Sequence, residues 1–598
     1  MKKYCASDIY DILESVGNID IAYGEAERER VLSNPLLAQK LKMLKEAGGA
    51  LRGTPICELR FSAFKRFETD GNRTEYESSP DDGYFIRRRK LVVFSILSWL
   101  YDNKEDIEYL EDILWAICSE YTWCLPAHLR GTGLSEVQTD GTFTVDLFAS
   151  ETASGIAETL SLVGNMLSPV VRKRCEHELS RRVLDRCTDK VSWNTVGSNN
   201  WVCVCNGGCG IAAMYCEKDL SRLSAILESC INGITNYTKS ITSDGACSEG
   251  LGYWGYGFGY YLYFAEMLYR RTDGRINILD DEKIKKTASF FCNCTFPRGQ
   301  YVSFADMWGK TIFYALPGLL SKTKELFPEV SLVGKELMDF SFPDILRMRF
   351  TRELREFVWV AHDLENEISH RYGTHIYPDA QIMISTSENG VSIAAKGGHN
   401  NEEHNHNDVG SFMLVKNGVR ILDDIGASEY VNGYFGEKRY EFFAPSSLSH
   451  NLPVICGRGQ KGGEEHRAEN VVITENGLQC EMSKAYGIPI LNSLVRKIDF
   501  DAKSGKTVIC DTFSFSEKPE SLCERFVTPH KPKLCNGKIV FGTEEEHMTL
   551  SYDSDIFEVS LSDVTDIRHD ICAERTTYVV ELVAKRVTTE EKFEITVE

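Results

Sequence analysis

The 598-residue chain contains no apolar run long enough to cross a bilayer, and acidic residues follow Lys2 and Lys3 where an export leader needs an unbroken apolar stretch. A cytoplasmic protein is therefore expected from the chain as written, or a periplasmic or secreted one if a leader has been removed. Positive charge is also scarce: 67 Lys and Arg face 88 Asp and Glu, for a net charge of -21. Nucleic acid and anionic membranes need a broad positive field, so neither is expected as a partner. An anionic ligand would need a local basic patch. No internal repeat or low-complexity segment is evident, which argues against a solenoid.

The length exceeds one ordinary core, so at least two domains are expected, and 42% hydrophobic residues suffice to fill them. Twenty cysteines are scattered through apolar patterns with no leader ahead of them, and reduced core thiols are the expectation.

Up to about residue 320, apolar residues recur at helical spacing, as in 91–100 and 107–115. The loops between these helices, 195–201 and 243–259, are rich in Gly, Asn, Ser and aromatics. Pro328 and Pro343 punctuate a connecting stretch, and a boundary is placed there, dividing 1–335 from 336–598. Beyond it, runs at 357–361, 382–384, 391–395, 411–415, 506–510 and 578–583 read as strands, with tight-turn dipeptides at Asn389-Gly390 and Asn417-Gly418. The second half is expected to be an antiparallel β-sandwich.

Chemistry-bearing residues concentrate in 397–412, which holds His399, His404 and His406. An extended backbone would put His404, His406 and Asp408 on one face. Two imidazoles and a carboxylate suit zinc or a similar divalent ion, with Asp424 (or its neighbour Asp423) and His450 as further ligand candidates. In the helical half, Asn199 and Asn200 precede Trp201, offering amide donors beside a flat apolar surface. Asn199 could equally cap the following helix. Tyr253 and Tyr256 lie in a glycine-rich stretch after Glu249, and a base role for either phenol needs its pKa lowered by a cation or donor. A third patch, His128 and Arg130 behind Trp123, could grip an acidic sugar. Cys203, Cys205, Cys209 and Cys216 fall in a run of small residues that reads as a packed helix rather than a metal site.

Four segments in this order, Asn199-Asn200-Trp201, Glu249-Gly250-Leu251-Gly252-Tyr253-Trp254-Gly255-Tyr256-Gly257, His404-Asn405-His406-Asn407-Asp408-Val409-Gly410-Ser411-Phe412 and Ser446-Ser447-Leu448-Ser449-His450-Asn451, resemble the heparinase II/III-like polysaccharide lyase superfamily, which includes oligoalginate lyases. The resemblance covers most of the chain. It implies an α+β multidomain protein: an N-terminal incomplete (α/α) toroid followed by a C-terminal antiparallel β-sandwich, with an acidic poly- or oligosaccharide in the cleft between them. It implies β-elimination from a uronic acid, giving a 4,5-unsaturated end.

In that reading Asn200, with Asn199 second, resembles the carboxylate-neutralising amide, Tyr256, with Tyr253 competing, the catalytic tyrosine, and His404 a neutralising group or base. Substrate contacts would come from Asn199, Trp201, His128 and Arg130, and from Glu249, Tyr253 and Arg439. His406, Asp424 and His450 resemble ligands of one structural divalent metal, taken as zinc. Where some relatives carry a histidine beside the asparagine, this chain has Trp201. Two other functions fit the same residues: a glycoside hydrolase using Asp244 and Glu249, and a non-catalytic glycan-binding protein. A homo-oligomer is left open.

Overall fold

The computed structural model describes residues 3–129, 144–188, 197, 199–307, 315–364, 373–431, 433–535, 537–568 and 573–598. Helices occupy the chain from Ala6–Val16 to Phe350–Val358, and strands follow from Gly373–Tyr377 to Glu590–Val597. The incomplete toroid and the antiparallel sandwich expected from the sequence are both present.

The run 357–361 is not a strand. It ends the helix Phe350–Val358, which buries Phe350, Leu354, Phe357 and Val358. Those positions recur at i, i+4, i+7 and i+8, the period of a helix face. This last helix follows residue 335 and packs on the helix Leu147–Val163.

The helix Asn200–Cys216 sits at the centre of the first half, buried along nearly its whole length. Small residues let its neighbours approach closely. A Cβ at Gly208 would lie 2.8 Å from the Ser150 carbonyl of the helix Leu147–Val163, and one at Gly207 would lie 3.1 Å from the Tyr260 carbonyl of the helix Leu251–Arg271. Cys203, Cys205 and Cys209 fill the same contacts as buried thiols, their pKa values pushed well up chiefly by burial for Cys203 and Cys205. They act as small apolar residues.

Among the described residues the strands form sheets of five, eight, four and two strands, antiparallel throughout. In the five-stranded sheet, successive residues point to different cores. Ala394, Met413 and Val415 join the helical core, whereas Ile393, Ala395, Phe412 and Leu414 join the sandwich core. This sheet is thus one layer shared by two cores, with period two splitting its side chains between them. The turn at Asn417 and Gly418, with φ of 46° and 86°, is the tight hairpin their dipeptide favours.

The histidine-rich segment is the connection between two neighbouring strands of that sheet, Val391–Lys396 and Phe412–Lys416. It is held from below by Arg496, 1% exposed as a side chain. Arg496 donates to Asp511 at 2.9 Å and 2.5 Å, to the Gly410 carbonyl at 3.0 Å and to the Asn451 carbonyl at 2.7 Å. One guanidinium therefore ties together the ends of two segments that the sequence separates by 40 residues. Arg496→Met should strand Asp511 and cost about 3–5 kcal/mol, read from urea denaturation. A loss below about 1 kcal/mol would reject this role.

Candidate active site

The segment 401–411 is not extended. His404 takes a left-handed backbone, φ 60°, and the side chains of His404, His406 and Asp408 part company. Asp408 accepts a bond from Lys396 Nζ at 2.7 Å. The two histidines converge instead on a carboxylate from the helical half. Asp306 Oδ2 lies 2.9 Å from His404 Nδ1, and Oδ1 lies 3.2 Å from His406 Nε2.

Asp306 also accepts from Arg439 at 2.9 Å and from the Tyr434 hydroxyl at 3.0 Å, while its own backbone N–H donates to the His404 carbonyl at 3.1 Å. Burial opposes its ionisation, but the hydrogen bonds to His404 and His406 and the Arg439 charge outweigh it and hold this carboxyl well below the usual range. An ionised Asp306 can only accept, so His404 carries its proton on Nδ1 and presents Nε2 to the cleft.

On the other wall, Asn200 opens the helix Asn200–Cys216, while Asn199 caps it by accepting from the Trp201 N–H at 3.1 Å. Asn200 Nδ2 donates to Glu249 Oε2 at 2.5 Å, and that oxygen is 4.0 Å from His404 Nε2. Asn200 Oδ1 and Glu249 Oε1 are buried with no hydrogen-bond partner. Burial pushes the Glu249 carboxyl up to about 7, although His404 and the Asn200 hydrogen bond pull the other way. The position thus exchanges between carboxyl and carboxylate near neutrality.

Tyr253 stacks on the His404 ring at 3.9 Å with planes 19° apart, and its hydroxyl meets that of Tyr430 at 2.9 Å. Tyr256, one helical turn on, donates to Glu151 Oε1 at 2.7 Å beneath the Arg349 guanidinium, which donates to the same oxygen at 2.8 Å. Burial raises both phenols, so both stay protonated through the neutral range. Trp201 packs against His128, whose Nδ1 is 2.7 Å from Asp146. Arg130 lies outside the described residues.

Arg439 stands behind this wall rather than in it. Its donors go to Asp306 and to the carbonyls of Asn405 and Tyr434, which makes it a positioning group for His404.

A third group lies deeper. His406, Asp424 and His450 are fully buried, and one ligand atom from each lies within 4.8 Å of the others. His406 Nδ1, both ring nitrogens of His450 and Asp424 Oδ2 lack hydrogen bonds, although His450 Nδ1 and Asp424 Oδ2 are 3.2 Å apart. Unbonded donor atoms crowded in a dry site fit a divalent ion, and burial, the largest influence on His406, favours its neutral, ligating form. Of the two adjacent aspartates, Asp423 is taken by Arg420 at 2.5 Å, and Asp424 faces the imidazoles.

Asp244 is engaged by neighbouring backbone amides and a hydroxyl: its oxygens accept from the N–H groups of Ala246, Asp379 and Ala380 and from Thr242, which pins a helical-half loop to the first sheet. Asp306, Glu151, Arg349 and Tyr430 were not foreseen. None of them lies in a segment that marks it by sequence, and their partners are residues that only the fold brings near.

No family model matches the chain, and no curated protein matches it. Solved structures do. Heparinase III aligns with a TM-score of 0.62 at 13% identity, covering 99% of this chain and 88% of that one. A mutant of heparan sulfate lyase HepC from Pedobacter heparinus gives 0.57 at 14%, covering 98% and 92%. Chondroitin AC lyase from Streptomyces coelicolor A3, in complex with chondroitin sulphate, gives 0.54 at 10%, covering 99% and 82%. The fold of this chain is the one these polysaccharide lyases share.

The raised Glu249 pKa has a stability consequence. Because the folded-state value exceeds the unfolded one, the stabilisation is complete below about pH 4.5 and is lost as pH rises through about 7. Glu249→Gln should flatten that fall in Tm between about pH 4.5 and 7. Parallel Tm profiles for the two proteins would show Glu249 to be ordinary.

Proposed function

We propose that this protein is a polysaccharide lyase that cleaves uronic-acid-containing glycans by β-elimination. The observation that carries the reading is the His404 imidazole, fixed by Asp306 through Nδ1, with Nε2 turned toward the Asn200–Glu249 pair.

The proton beside a uronate carboxylate is weakly acidic, so charge developing on that carboxylate must meet prearranged donors. Asn200 offers its amide, and Glu249, protonated for part of the time near neutrality, offers a second hydrogen-bond donor. The base must be unprotonated at working pH. Both phenols are raised, and His404 Nε2 is the acceptor the site presents, so His404 removes the C5 proton. The departing C4 oxygen then takes a proton from a phenol of the pair Tyr253 and Tyr256. Burial keeps both phenols protonated, so each has a proton to give.

A divalent ion, zinc by its donor set, would sit on His406, Asp424 and His450 and supply fixed positive charge that holds the segment carrying His404. Asp306 would couple the two, because it engages Nε2 of His406 and leaves Nδ1 without a hydrogen bond and so able to hold the ion. Hydrolysis by Asp244 and Glu249 is disfavoured because Asp244 is engaged by backbone amides.

Incubation with heparan, chondroitin, hyaluronan, alginate and bacterial exopolysaccharides should yield ultraviolet-absorbing unsaturated ends from at least one. New reducing ends without that absorbance would mean hydrolysis, and neither would leave a binding protein. On the cleaved glycan, His404→Ala should lower kcat by roughly 10²–10⁴-fold, and Asn200→Ala by roughly 10²–10³-fold. Of Tyr253→Phe and Tyr256→Phe, the variant that abolishes turnover identifies the acid, and full activity in both would remove tyrosine from the mechanism. Metal analysis of the purified protein should find about one divalent ion per chain, lost together with thermal stability in His450→Ala. Metal-free protein of undiminished Tm would reject the ion.

A further inference from the structure

One large apolar side chain beside the candidate base has no role in the elimination as described. Phe435 is 56% exposed, yet its ring makes a T-shaped contact with His404, 5.4 Å between centroids with planes at 89°. The ring is not loose. Tyr430 and Tyr434 brace it at 4.7 Å and 5.2 Å, and the Arg439 guanidinium lies 5.3 Å from its centroid.

The backbone beneath is fixed at both ends. Glu429 N–H donates to the Ile567 carbonyl of the sandwich at 2.8 Å, and Arg439 is bound to Asp306. Gly433, two residues before the ring, takes a φ of 90°, which suits glycine. Val431, on the same stretch, is also exposed, at 43%. Water-facing apolar surface costs about 25 cal/mol per Å² relative to burial. A braced, half-open phenyl next to a catalytic imidazole is therefore arranged for an occupant.

The geometry points to Phe435 as a stacking platform, a subsite on the sandwich wall that receives the apolar C–H face of the sugar ring adjoining the uronate at His404. The inference rests on the lyase reading for its location. The occupant is a pyranose and not a protein or lipid, because the ring continues the wall of the cleft that holds His404, Tyr253 and Asn200. A pyranose carries its hydroxyls at the rim and C–H groups on its faces, so a flat aromatic surface matches it. On the helical wall, Trp201 packs on His128, 4.8 Å between ring centroids. The two walls would grip sugars on either side of the bond to be broken. A platform of this kind reads ring shape, not charge, and its contribution should be insensitive to salt, unlike that of an ionic contact.

The test uses the full chain and three substitutions: Phe435→Ala, Phe435→Leu and Phe435→Trp. On whichever glycan of the panel the wild type cleaves, Phe435→Ala should raise KM roughly tenfold, with kcat much less affected and the shift the same at low and high salt. Phe435→Trp should restore KM and Phe435→Leu should not, since an aliphatic group fills space without presenting a flat face. Unchanged KM in Phe435→Ala, a loss confined to kcat, or full rescue by leucine would each overturn the platform.

Calorimetric titration of the wild type with heparan and chondroitin hexasaccharides separates this inference from the lyase reading. If no glycan is cleaved but a hexasaccharide binds and Phe435→Ala weakens it, the subsite stands and the chemistry falls. If neither cleavage nor binding occurs, both fall.

Discussion

A single carboxylate organises this molecule. Asp306 comes from the helical half, yet everything it bonds through its side chain, His404, His406, Tyr434 and Arg439, belongs to the sandwich half. Burial makes an ionised carboxylate expensive, and four donors at this one position offset that cost. The arrangement fixes which nitrogen of His404 is free, braces a candidate metal ligand and holds the two halves in register. An imidazole whose tautomer is set by one half and whose backbone belongs to the other takes this form only when both halves are docked.

Docking itself is a matter of sharing a layer. The five-stranded sheet gives alternate side chains to two cores, so the helical half does not merely touch the sandwich but completes one face of it. The segment bearing His404 and His406 is the connection between two strands of that sheet, and Arg496 fixes its far end. Across the cleft, glycines in the helix Asn200–Cys216 draw its neighbours close, and the helix start places Asn200 against Glu249. The site is thus assembled from a strand connection, a helix start and a loop, each held by packing well away from the cleft.

The charge pattern follows from the same burial. The chain as a whole is strongly acidic, but within the site each buried carboxylate has its own donor: Glu151 has Arg349 and Tyr256, Asp408 has Lys396, and Asp306 has Arg439. Glu249 differs, having an amide and a neighbouring imidazole but no cation in hydrogen-bond contact, and burial lifts its carboxyl to about 7.

Much of this was legible in the chain itself. Helical spacing at 91–100 and 107–115, strand runs from 382 onward and the Asn417-Gly418 turn all appear where expected, because local period and turn chemistry act over a few residues. The trio His406, Asp424 and His450 also came together as anticipated. What went astray has physical reasons. The aromatic and β-branched residues of 357–361 have strand character by themselves, but the helical spacing from Phe350 carries the run into a helix. The expected common face of His404, His406 and Asp408 failed because His404 adopts a left-handed backbone, which breaks the alternation of a strand. Asp306, Arg439 as a brace and the split of Tyr253 and Tyr256 between His404 and Glu151 depend on contacts between residues that are far apart in sequence. The sequence alone determined which elements form and which side chains could carry chemistry, because those depend on neighbours along the chain. Which nitrogen, phenol and carboxylate face the cleft was decided only by tertiary structure, because orientation and pKa follow from burial and from partners that folding brings near.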